Sequence, residues 1–171
     1  AGIQTLLTVE LALSGQVGYT NGFYTGGPSY SAPTGGAQLS YRYSPFGRIQ
    51  LNYSWMYADS INANYYRDEV ISATWIQRVN ALLFEVQPEL HFREYDGIAT
   101  LIPGSADTRD DTIVSLIAGV SYAFRTWIAA SLDYHFTDVS TDYRYPATAT
   151  SEPYNPSYVR HDILLGIRLA L

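Results

Sequence analysis

Eight stretches of this chain alternate apolar and polar residues in twos, and the connections between them run long, short, long, short, long, short, long. Period-two alternation marks strands whose two faces meet different surroundings. Connections that alternate in length place every short turn at one end of an antiparallel sheet and every long loop at the other, as in outer-membrane barrels.

The first run sets Leu7, Val9, Leu11, Leu13, Gly15, Val17 and Tyr19 against Thr8, Glu10, Ala12, Ser14, Gln16, Gly18 and Thr20. The second, "AQLSYRYS", ends at the turn "SPFG", and the third is "IQLNYSWMYA". A polar connection, "DSINANYYRDE", leads to the fourth, "VISATWIQ", and a short turn near "RVN" leads to the fifth, "LLFEVQPELHFRE". "TIVSLIAGVSYAF" is the sixth, and "RT" turns it into the seventh around Ile128 to Thr137. The eighth runs from Arg160 to Leu171. An even count lets the first and last strands meet and close the sheet, removing edges that lipid does not tolerate.

In the fifth run Leu82, Phe84, Val86, Pro88, Leu90 and Phe92 share one face, while Glu85, Gln87, Glu89, His91 and Arg93 share the other with Leu83. A soluble barrel turns its apolar face inward and its charges outward, and a transmembrane barrel does the reverse. Composition favours the second. All ten basic residues are arginine, so the lysines expected on a solvated outer face are absent. The polar face carries Glu10, Arg42, Glu85, Glu89, His91, Arg93, Asp133, His135, Arg160, Asp162 and Arg168, a near balance of signs expected of an interior network. Aromatic residues on the apolar face gather towards strand ends. Tyr41, Tyr43, Tyr122, Phe124 and Trp127 lie near the short turns, and Trp55, Tyr57, Phe92, Tyr134 and Phe136 lie towards the loops, as two membrane girdles would require. Pro88 removes a ladder hydrogen bond, which predicts a bulge or a bridging water.

The rest of the composition narrows function by exclusion. A formal charge of −6 argues against a nucleic-acid surface. There is no cysteine for a disulfide or thiolate metal site, and no apolar run long enough for a transmembrane helix. The start at "AGIQT" lacks the regions of a signal peptide.

From Arg109 onward, "RDDTIVSLIAGVSYAFRTWIAASLDYHFTDVSTDYRY" and the closing "YVRHDILLGIRLAL" resemble the last strands of β-barrel porins associated with bacterial exopolysaccharide secretion. The resemblance covers roughly the C-terminal third and implies export through a barrel. Members of that family are longer and have more strands, so it implies a fragment, a minimised barrel or a small relative.

Glu89 with His91, and Asp133 with His135, are carboxylate and histidine pairs at i, i+2, a spacing that points both side chains to one face for metal ligation or acid/base work. Structural ion pairs mimic such sites, and the interior network accounts for both pairs. Ser131 shares a face with Asp133 and His135 and would be the nucleophile of a small lipid-modifying enzyme. Four residues along a strand, however, span ~13 Å, and no "GxSxG" is present.

The chain is therefore expected to be one domain over residues 1–171: an all-β, eight-stranded antiparallel up-and-down transmembrane β-barrel with short periplasmic turns and long external loops, integral to the outer membrane of a Gram-negative bacterium. Eight strands leave an interior that side chains fill, so the expected role is structural or interactive, through loops that offer tyrosines to a polysaccharide or protein partner. No enzyme activity, cofactor or metal is expected. The alternatives are a porin or polysaccharide-export conduit within a larger barrel, and the lipid-modifying enzyme.

Overall fold

The computed structural model describes residues 1–98, 108–145 and 152–169. It is a single antiparallel sheet of nine strands in sequence order: β1 Gly2–Leu6, β2 Leu11–Gly22, β3 Tyr30–Ser44, β4 Gly47–Asp59, β5 Tyr65–Val79, β6 Leu82–Asp96, β7 Thr108–Arg125, β8 Ile128–Thr141 and β9 Tyr158–Leu169. Every strand pairs only with its sequence neighbours, so the topology is up-and-down as expected.

The strand count differs from the expected eight, because the first run is broken at Leu7–Glu10. There the Thr8 hydroxyl accepts hydrogen bonds from the backbone N–H groups of Glu10 (3.2 Å) and Leu11 (3.0 Å), while the N–H of Leu7 donates to the carbonyl of Leu11 (2.8 Å). A side-chain oxygen that satisfies local backbone donors competes with the ladder. The chain folds back, and Gly2–Leu6 becomes a hairpin partner of Ala12–Gln16. Glu10 consequently sits in this turn, not on a strand face.

The sheet is open. Its edges are β1 and β9, and with nine alternating strands these two run in the same direction. The side chains of β9 are exposed along nearly its whole length, Leu165 to 85%.

Three turns are minimal: Pro45–Phe46, Asn80–Ala81 and Thr126–Trp127. In the second of them Asn80 takes the left-handed backbone (φ 55°) that favours a tight hairpin turn. Register shifts occur beside two of these turns, between Tyr41 and Ser44 and between Ala123 and Arg125. None occurs at Pro88. It pairs in register with Leu116, and the β5–β6 pairing lapses between Ser72/Glu89 and Trp75/Val86 but resumes in the same register. The missing N–H costs ladder contact and does not bend the strand into a bulge.

The strands also run further than the alternating runs. β3 begins at Tyr30 inside the stretch read as loop, and Pro33 is accommodated because β4 pairing starts only at Gly35. β5 begins at Tyr65 and β7 at Thr108, both within segments read as connections. Ala170 and Leu171 lie outside the described residues.

Hydrophobic burial is sparse. Among the described residues only Ile98, Val139 and Tyr143 are buried apolar side chains, and no side chain is fully enclosed. The accessible surface is 11645 Å² for 19.1 kDa, whereas a soluble globular chain of that mass exposes ~8,400 Å². The more exposed of the two sheet faces is the apolar one. Leu51, Ile71 and Leu132 stand about half exposed at its centre.

Candidate functional site: a charged ladder on the polar face

The polar face of β5 carries Tyr66, Asp68, Val70, Ser72 and Thr74; that of β6 carries Glu89, His91, Arg93 and Tyr95; that of β7 carries Arg109, Asp111 and Ser115. Register places Asp68, Arg93, Asp111 and Thr141 directly opposite one another across four strands. This rung is the most sheltered polar part of the fold, with Asp68 4% and Asp111 3% exposed.

Arg93 Nη2 donates to Asp68 Oδ2 at 2.7 Å, and the guanidinium lies 4.6 Å from the centre of the Tyr66 ring. His91 is held between two carboxylates, with Nδ1 3.3 Å from Asp68 Oδ2 and Nε2 3.5 Å from Glu89 Oε2. A neutral imidazole donates from one nitrogen at a time and an imidazolium from both. Glu89 also accepts from Gln87 Nε2 (2.6 Å) and from the Ser115 hydroxyl (3.2 Å). One rung nearer the loops, Arg109 grips Asp111 through Nε (2.7 Å) and Nη2, and stacks over Tyr95 at 5.0 Å. Such two-pronged pairs are the strong form of the interaction. Among the described residues, Asp68 Oδ1 and Arg93 Nε are buried without a partner.

The structure brings together only part of the expected network. Glu89, His91 and Arg93 meet, but around Asp68. Arg160 pairs with Asp162 at 2.8 Å. His135 faces Asp162 across the β8–β9 ladder and Asp133 faces Gly119 and Leu164, but among the described residues His135 makes no ion pair with either acid. Glu10, Arg42, Glu85 and Arg168 stand outside the paired set as well. Ser131 faces Ser121 and Gly166, two rungs from His135. Asp68, Arg109 and Asp111 were hidden in segments read as connections. Their detectable signal is charge complementarity across strands, since Arg93 has an acid opposite it on both sides. Among the described residues, no group of three or more potential ligands is arranged to hold a metal ion.

On the apolar face, aromatic side chains cluster towards both ends. At the turn end Trp75 Nε1 donates to the Tyr43 hydroxyl (2.9 Å), which donates to Gln77, and Tyr122 meets Phe124 edge-on at 4.8 Å. Tyr41 and Trp127 are exposed beside them. At the loop end Tyr134 shares a 2.8 Å hydrogen bond with His161, against which Phe136 also packs. Phe92 is exposed there, and Trp55 is half-buried. Tyr57 instead joins Tyr24, Tyr30 and Tyr65 in a mutual stack.

That stack clamps the β2–β3 loop. Tyr24 donates to Asp59 Oδ1 at 2.5 Å, and Asn64 Nδ2 donates to the carbonyl of Gly26 at 2.6 Å. Removal from water, and then the Asp59 carboxylate, push the Tyr24 phenol above its ordinary value of 10.0. A raised folded-state value means that the clamp contributes its full stability below pH 10 and loses it as pH rises from there through the raised value of the folded state. In a tyrosinate absorbance titration Tyr24→Phe should therefore delete a late-titrating phenol, whereas loss of a phenol that titrates in the ordinary range would show that Tyr24 is solvated.

No family model matches the chain, and no curated protein or solved structure matches it either.

Proposed function

We propose that the chain is the wall of an integral outer-membrane β-barrel of a Gram-negative bacterium, its apolar face on lipid and its polar face on the lumen, acting as a conduit and not as a catalyst. The observation that carries this reading is the inversion of the sheet: the wide apolar face is exposed while the acids and arginines of the ladder are sheltered and paired. In water that arrangement would aggregate. Dimensions agree with a bilayer. The apolar face of β6 is unbroken from Leu82 to Phe92, and ~3.4 Å per residue at ~40° tilt gives ~26 Å against the ~25 Å outer-membrane band. Glu69 stands opposite Phe92 at its edge, and Arg67 and Glu94 lie just above it, joined by a 2.8 Å pair.

The conduit is favoured over a plugged eight-stranded barrel by the two open edges. Strands β1 and β9 run the same way, so antiparallel closure needs an odd number of further strands between them. Ten or more strands enclose more space than the side chains of eight can fill. A porin-like or polysaccharide-export role, in keeping with the resemblance of the C-terminal strands, fits this geometry, with the loop tyrosines as the contact for a sugar or protein partner. Protein refolded into a planar bilayer should show steady, stepwise conductance, with heat-modifiable migration on gels reporting closure. A closed but silent barrel would return the plugged reading.

A further inference from the structure

Half of the ten basic residues lie at the short-turn end of the sheet: Arg42 on β3, Arg48 on β4, Arg78 on β5, Arg125 on β7, past its register shift and opposite Ile128, and Arg168 on β9. The register puts them there. Arg48 pairs with Ile76, Arg78 with Leu83, and Arg168 with Ala129, all positions of the polar face next to the turns. All five are exposed, and among the described residues none has a carboxylate within ion-pair distance, in contrast to Arg67, Arg93, Arg109 and Arg160. The acids nearest in register are Glu10 in the β1–β2 turn, Glu85 on the rung of Arg48 and Asp133 two rungs in from Arg168, too few to neutralise five guanidinium groups.

Two cavities open among these side chains. One of about 530 Å³ is lined by Arg78, Arg125 and Arg168 with Ser121, Ser131 and Trp127. The other, of about 470 Å³, is lined by Arg42, Arg48 and Arg78 with Ser44. Arg78 and Leu83 belong to both, so the cavities adjoin. Strands ~4.8 Å apart spread the five arginines over a distance that one small anion does not span.

From this geometry we infer that the turn-end mouth of the polar face is a binding site for extended oxyanions, molecules that carry several carboxylate or phosphate groups in a row. Guanidinium forks match the planar geometry of carboxylates and phosphates, which ammonium groups do not. Serines complete the lining, and Trp127 offers a face on which an apolar or sugar ring packs. The charged ladder near the loops is internally neutralised, so the polar face has an attractive positive mouth at one end only, where it steers anions. For transport this inference rests on the conduit reading, whereas binding itself requires only the five arginines.

The test measures equilibrium binding of tripolyphosphate and of a hexameric polyuronate to the detergent-solubilised full chain at low salt, read by tryptophan fluorescence, with a neutral maltohexaose control. Both anions should bind and the neutral sugar should not. In Arg78→Gln/Arg125→Gln/Arg168→Gln, binding should fall at least tenfold, and the corresponding lysine variant should recover only part of it. Arg144→Gln, in the β8–β9 loop, should leave binding unchanged, and heat-modifiable migration confirms that each variant folds. Absence of binding by both anions, equal binding of maltohexaose, or a triple variant that binds like the parent would overturn the site. Anion binding without any conductance would remove the conduit and leave the site standing; conductance without anion binding would do the opposite.

Discussion

Replacing Asp68 by alanine should lower folding stability by about 3–5 kcal/mol, the cost of leaving a buried charge uncompensated. The side chain is 4% exposed and is the common partner of Arg93 and His91. Without it, a guanidinium that already has one orphaned nitrogen loses its 2.7 Å acceptor. Asp68→Asn keeps the shape and one acceptor and should lose less. Arg93→Met combined with Asp68→Leu removes both charges and should recover most of the loss, because the penalty lies in the unpaired partner. Urea titrations of protein refolded into lipid vesicles would measure the cycle. A single-mutant loss below about 1 kcal/mol would mean that water reaches the ladder and screens it.

Ile71→Arg distinguishes lipid from water on the apolar face. Ile71 lies mid-strand between Tyr53 and Leu90 and is 50% exposed. On a solvated surface such a change costs within about 0.5 kcal/mol. At the midplane of an outer-membrane barrel an outward arginine costs about 2–4 kcal/mol, falling to about 0–1 near the interfaces. The expected result is therefore a depth profile: a large loss at Ile71, a small one for Trp127→Arg at the turn end, and a small one for Ser72→Arg, one residue along but on the opposite face. Equal costs at all three positions would remove the bilayer from the interpretation.

The ladder was half legible. Glu89, His91 and Arg93 stand out because they alternate with Leu90 and Phe92, so their face is readable along one strand. Asp68 and Asp111 lie above the apolar band, where Arg67, Glu69 and Asp110 carry charge on the other face too. Alternation vanishes there, and a fully polar segment reads as a loop although its backbone stays paired. The five turn-end arginines were each visible, Arg42 and Arg168 as members of a presumed balanced network. That they line one end of the sheet depends on strand order and register, since Arg42 and Arg168 stand six strands apart.

By itself the sequence determined the class of structure: all-β, antiparallel, up-and-down, with short turns at one end, and with Phe84 and Leu90 on the face opposite Glu89 and His91. Those are consequences of period-two geometry and of turn length, both written within a few residues of the chain. Tertiary structure alone decided that Thr8 breaks the first run, that the nine strands leave two edges running the same way, and which acid faces which arginine. Register and edge pairing join residues far apart in the chain, and local alternation is equally satisfied by any register that keeps the faces.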